Sequence, residues 1–135
     1  MPETLAEPIV TGVDFVSVFA TDLERARTFY GEVLGLPCTV DRAPYNLEFD
    51  TGNLTLSVLD AAQMKMTHHV NPTHIALQVA DMATARAHLE AHGVTFDADT
   101  LDTGVCHMAF FNDPDGNAFM LHHRYAPKVH APAGD

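Results

Sequence analysis

The stretch Val13-Asp-Phe-Val-Ser-Val-Phe-Ala-Thr-Asp-Leu-Glu-Arg-Ala-Arg-Thr-Phe-Tyr30, closing at Gly35-Leu36, is restated later in the chain. The second version is Thr73-His-Ile-Ala-Leu-Gln-Val-Ala-Asp-Met-Ala-Thr-Ala-Arg-Ala-His-Leu89, closing at Gly93-Val94. Sliding one onto the other superimposes Asp22 on Asp81, Leu23 on Met82 and Phe15 on His74. A repeated strand–helix unit implies one fold built from two copies of a motif.

Each copy can be read locally. Residues 13–20 alternate, with Val13, Phe15, Ser17 and Phe19 on one side of a strand and Asp14, Val16, Val18 and Ala20 on the other. Thr21 followed by Glu24 forms a capping box, and the helix it starts buries Leu23, Ala26, Phe29, Tyr30 and Val33 until Gly35 ends it. Strands are expected near 45–50 and 54–59, around Thr51-Gly52-Asn53. The second copy predicts a strand over 74–80, a helix over 82–92 capped by Asp81, and strands near 105–111 and 118–124. The last two flank the turn sequence Asn112-Asp-Pro-Asp-Gly-Asn117.

The fold class that follows is α+β: two βαβββ modules, with helices on the outer face of a curved sheet and a cup on the inner one. The expected division is a leader over 1–12, a first module over 13–60, a crossover over 61–72, a second module over 73–125 and a tail over 126–135. All of it makes one domain, as suits 135 residues.

Bulk properties narrow the function. Hydrophobic content of 47% with 19% charged residues is ordinary for a globular chain. No apolar run has the length of a membrane span and no secretory signal is visible, so neither a membrane nor export is expected. Cys38 and Cys106 fall in different modules, which reads as reduced thiols in a cytoplasmic protein. A net charge of −11 excludes nucleic acid as a partner and suits a cationic small molecule, although surplus carboxylates also serve solubility alone.

Val79-Ala-Asp81 with its helix, Phe29-Tyr30 with Val33-Leu-Gly-Leu36, and Asp113-Pro-Asp-Gly-Asn117 before a terminal strand carry a family likeness. Over residues 12–125 the chain resembles the vicinal oxygen chelate superfamily, which includes glyoxalase I, extradiol dioxygenases and bleomycin-resistance proteins. The resemblance implies paired modules forming a sheet cup, often completed by dimerisation, so a homodimer is expected. It also implies, in the family's enzymes, a divalent metal held by His, Gln or Glu from first and last strands.

At the corresponding positions this chain has Phe15 and His74, seven residues before the helix-start aspartates, and Leu56 and Met120, four residues after Gly52 and Gly116. Only His74 is a ligand for a hard divalent ion, whereas such a site needs at least three nitrogen or oxygen donors. No cofactor is therefore expected, and the leading reading is a metal-independent small-molecule binding protein, possible ligands being antibiotics or other cationic or aromatic compounds. Its ligand-binding residues would be Phe15, Phe19, Leu56, Phe111 and Met120 for apolar contact, with Ser17, His74, Gln78, His107 and His122 as polar anchors. This mixture is what ligand pockets generally present.

The alternative is a metal-dependent lyase, isomerase or dioxygenase whose divalent metal has moved to His74, His107 and His122. Pairing Phe111 with Ala118, Ala109 with Met120 and His107 with His122 would put His107, Met120 and His122 on one face. With nine histidines in the chain, such proximity also arises without a metal. His88, His92 and His130 read as solvated, Cys106 as a packed small hydrophobe, and Asp113 with Asp115 as turn residues.

Overall fold

The computed structural model describes residues 6–127. The start of the expected leader, most of the expected tail and His130 lie outside the described residues.

Strand β1 (Phe15–Ala20) runs into helix α1 (Leu23–Ala26), which continues as a π-helical segment over Arg27–Val33. Asp22 caps α1, its carboxylate accepting the Glu24 and Arg25 amides at 3.0 and 3.1 Å. The widened turn ends in Leu34 N–H donating to the Phe29 carbonyl at 2.9 Å, and Gly35 follows at φ 74°. Strands β2 (Cys38–Arg42), β3 (Asn46–Asp50) and β4 (Thr55–Asp60) complete the first module. The second contains β5 (Ile75–Gln78), α2 (Met82–Ala91), β6 (Leu101–Asp102), β7 (Cys106–Asn112) and β8 (Ala118–Arg124).

The sheets are ordered β1-β4-β3-β2 and β5-β8-β7-β6. In each, the first strand pairs parallel with the last and the others pair antiparallel. The repeated pattern therefore folds as the expected pair of βαβββ modules. Strands β2 and β6 are additions to the sequence reading. The first carries the polar run Cys-Thr-Val-Asp-Arg with a register irregularity between Cys38 and Val40, and the second is two residues long. Neither leaves a clear alternation to find.

Alternation sorts the side chains into two faces. Val18, Leu47, Phe49, Leu56 and Val58 of the first sheet meet Ala109, Phe111, Phe119 and Leu121 of the second beneath Leu23, Ala26, Phe29, Tyr30, Met82 and Leu89 of the helical segments. This is one core shared by both modules. Tyr30 is fully buried between Phe49 and Phe119, with ring centroids 5.5 and 5.9 Å away.

A polar staple joins the modules at the turn before β8. Asp113 accepts from the Tyr30 hydroxyl, from the Asp115 and Asn117 amides at 3.0 and 2.8 Å, and from the Asn117 side chain at 2.8 Å. Asn117 also donates to the Phe19 carbonyl at 2.9 Å and accepts from the Asn71 amide at 2.8 Å, so it ties β1, the crossover and β8 together. Burial first, and then the Asp113 carboxylate, hold the Tyr30 phenol far above its ordinary pKa. Outside this knot, Asp115 takes the Thr21 hydroxyl at 2.7 Å and Arg25 at 3.0 Å.

Candidate binding face and its missing chelate

The faces of the two sheets away from the helices form the inner surface of the fold. On the first sheet this surface carries Phe15, Ser17 and Phe19 of β1, Ser57 of β4, and Glu48 of β3, paired with Arg42 at 3.4 Å. On the second it carries Ala76 and Gln78 of β5 beside Met120 and His122 of β8, and then Phe110 and Met108 of β7. His74 precedes β5, and its ring meets Phe110 edge-on at 5.0 Å.

Two parts of the expected site are corrected by the strand register. Phe111 pairs with Phe119, Phe110 with Met120, Met108 with His122 and His107 with His123, one residue out of step with the sequence expectation. The reason lies in the turn. Asp113 folds back onto the Asp115 and Asn117 amides, Gly116 takes φ 89°, and the strands meet at Asn112 opposite Ala118. A one-residue slip inverts every side chain. Phe111 is consequently fully buried in the core.

His107 turns to the opposite face from Met120 and His122. There it lies 3.6 Å from the Asp102 carboxylate, 4.9 Å from the Tyr125 ring and 6.2 Å from the His123 ring. Tyr125 donates to Asp102 at 2.7 Å, which holds that carboxyl below its usual range and raises the phenol. The His74, His107 and His122 metal set is thereby overturned.

The second correction concerns Leu56, which belongs to the core at 1% exposure. The first module turns through Thr51–Leu54 and the second through Asp113–Asn117, so counting from the glycine reaches opposite faces. Measured from the parallel pairs instead, Ser57 beside Ser17 is the counterpart of Met120 beside Ala76.

The four chelating positions are then Phe15, Ser57, His74 and Met120. A phenyl ring, a neutral hydroxyl, one imidazole and a thioether do not meet the needs of a hard divalent ion. A second copy of the chain would bring the same four residue types, whichever subunit supplied each half. Among the described residues no three His, Cys, Asp or Glu side chains gather as a metal site requires. The metal of the family's enzymes does not fit these residues.

Of the other expected contacts, Phe15 and Ser17 are exposed on the inner face, and Met120 is half-buried there. Phe19 is on that face but covered. The His69 ring meets it edge-on at 4.8 Å, and His68 lies at 6.1 Å. These crossover histidines form a wall of the first sheet's inner surface. Their position depends on the chain path between modules, which periodicity does not encode.

An open crevice of about 840 Å³ follows the β5 edge between the two sheets. Its walls include Thr51–Leu54 and Val16 on one side, with Ala76, Gln78, His122 and Arg124 on the other. Gln78 and His122 reach it from the inner face, and Leu56 touches it from the core side. Arg124 is an addition, two residues beyond His122 and so on the same face. A smaller, mainly apolar crevice of about 450 Å³ lies between Leu34, Leu36, Ala85 and Leu89.

Sheet order, paired modules and inner face together define the class. A model of the Glyoxalase/Bleomycin resistance protein/Dioxygenase superfamily matches residues 12–121, and the chain belongs to that superfamily. Among individual relatives, the uncharacterized protein YaeR of Escherichia coli (strain K12) is 27% identical over 123 residues, covering 82% of this chain and 94% of that protein. The fold is also that of the lactoylglutathione lyase from Agrobacterium tumefaciens, at TM-score 0.73 and 18% identity over 84% of this chain and 94% of the other. TnmS3, an antibiotic binding protein from Streptomyces sp. CB03234, matches at TM-score 0.72 and 24% identity, covering 87% of this chain and 99% of its own. Among the described residues no helix is long and apolar enough to cross a membrane.

Proposed function

We propose that this protein binds a small organic molecule on the inner face of its sheets without a metal, sequestering it rather than transforming it. The observation that carries the reading is the residue set at the chelating positions: Phe15, Ser57, His74 and Met120 offer contact surface and two polar side chains in place of a Lewis-acid site. Apolar and aromatic groups with a few hydrogen-bonding side chains are what a ligand pocket of this kind uses. The fold shared with an antibiotic binding protein supports the same direction.

The working form under this proposal is a cytoplasmic homodimer. Strands β1 and β5 are sheet edges, and Phe15 at the start of β1 is 61% exposed. Proteins normally cover or pair such edges, and a second copy would enlarge the inner face. Sedimentation showing only monomer at micromolar concentration would remove the dimer from the proposal.

The function itself is tested by a thermal-shift screen of the untagged protein against aromatic natural products and divalent metals in parallel. A specific ligand raises the melting temperature with its free concentration over Kd. The expected result is stabilisation by organic compounds that Met120→Arg abolishes. Stabilisation by metals alone would overturn the proposal.

A further inference from the structure

We infer that the ligand of the inner face is an organic acid, a flat apolar body carrying one carboxylate that seats on Gln78, His122 and Arg124. The inference rests on the binding reading above and specifies it against expectation, since the net charge of −11 points towards cations. Net charge acts at long range and is screened within about 8 Å at physiological salt. What a bound group meets is decided by the lining.

That lining has one sign. Gln78 and His122 are neighbours across the β5–β8 pair, and Arg124 follows about 7 Å along β8 on the same face. Among the described residues no Asp or Glu lines this crevice, so a ligand ammonium finds no counter-ion in its walls. Of the carboxylates flanking it, Asp81 caps α2 through the Thr84 amide at 2.8 Å, and Asp50 takes the Gly52 amide at 2.7 Å. On the first sheet Glu48 already faces Arg42.

Among the described residues no carboxylate pairs with Arg124, and its guanidinium reaches only the Pro127 carbonyl, at 3.5 Å. A guanidinium offers a planar fork that a carboxylate fills with two parallel hydrogen bonds. Gln78 and His122 can donate to the same group or to an adjacent oxygen. Beside them, Ala76, Met120 and the edge-on pair of His74 and Phe110 supply a flat apolar wall. A phosphate dianion would leave a negative charge uncompensated by this single cation, so the carboxylate is the better match.

The test is isothermal titration of the full chain with four probes sharing one ring system: 2-naphthoate, 2-naphthyl phosphate, 2-naphthylmethylamine and 2-naphthalenemethanol. Naphthoate is expected to bind at least about tenfold more tightly than the amine or the alcohol, equivalent to about 1.4 kcal/mol. Arg124→Gln should remove that preference by weakening naphthoate to about the alcohol's affinity, and Arg124→Lys should restore part of it. Tighter binding of the amine or the phosphate than of naphthoate would overturn the proposal. So would an Arg124→Gln variant with unchanged naphthoate affinity. Either result, with binding still observed, leaves the small-molecule reading standing. Failure of all four probes to bind at millimolar concentration would instead overturn that reading and this inference with it.

Discussion

Replacing Asn117 with alanine should be among the most damaging single changes in this protein. Asn117 is fully buried, and its side chain makes three hydrogen bonds: to the Phe19 carbonyl, to Asp113 and from the Asn71 amide, at 2.9, 2.8 and 2.8 Å. Each contributes about 1 kcal/mol net, and a partner left buried without a bond costs about 1–3 kcal/mol. The Asn71 amide would lose its acceptor, and the Asp113 carboxylate would lose one of its four donors. The total comes to about 3–5 kcal/mol, a large share of the roughly 5–15 kcal/mol that holds a domain folded. With an unfolding entropy of about 2.1 cal/mol/K per residue, that corresponds to a fall in Tm of roughly 10–18 °C. Urea unfolding should report a lower midpoint with an unchanged m-value. Asn53→Ala, in the exposed turn between β3 and β4, provides the control and should stay within about 0.5 kcal/mol. A loss below about 1 kcal/mol for Asn117→Ala would refute the idea that this staple holds the modules together.

The same staple predicts a pH dependence. The folded state keeps the Tyr30 proton well above the phenol's ordinary pKa of about 10, so below that value neither state releases it. Above it the unfolded chain binds fewer protons, and stability falls with rising pH by up to about 1.4 kcal/mol per unit. Tyr30→Phe should cost about 1–2 kcal/mol at neutral pH and flatten that alkaline decline in urea melts; an undiminished slope would contradict the assignment. Gly116→Ala should destabilise by roughly 1–2 kcal/mol because φ is 89°, although the new Cβ would sit an ordinary 3.7 Å from Val70. Gly31→Ala, with negative φ and 3.7 Å to Phe49, should be neutral or slightly stabilising, so equal costs for the two would count against a backbone origin. Exposed Cys38 should react with a thiol reagent in the native state, and buried Cys106 only on unfolding, as mass spectrometry of the labelled peptides would reveal.

Much of the architecture could be read from residues that act locally. Asp81 caps α2, and Gly35 and Gly93 close the helices at φ 74° and 87° as expected, whereas α1 is capped by Asp22 and not by the expected Thr21, whose hydroxyl goes to Asp115. The features that escaped depend on longer-range geometry. The π-helical widening over Arg27–Val33 keeps the amphipathic pattern of an ordinary helix, so periodicity does not reveal it. Strand β2 is polar and irregular, held by pairing with β3 rather than by its own alternation.

The inner face was legible in type but not in detail. Phe15, Ser17, His74, Gln78, Met120 and His122 follow from alternation on strands or strand starts that the sequence marks clearly. Phe111, His107 and Leu56 failed because turn length sets strand register, and one residue of difference reverses a face. In the Asp113–Asn117 turn, that length is decided by how the Asp113 carboxylate folds onto the Asp115 and Asn117 amides. Arg124 continues the His122 row by alternation, but its place in the crevice depends on how β8 pairs with β5.

Elemental analysis of untagged protein, purified without added metal or chelator, decides whether the inner face grips a ligand without chelating a metal. Far less than one equivalent of zinc, nickel, manganese or iron per chain is expected. One equivalent that survives gel filtration and disappears in His74→Ala would contradict metal-free binding.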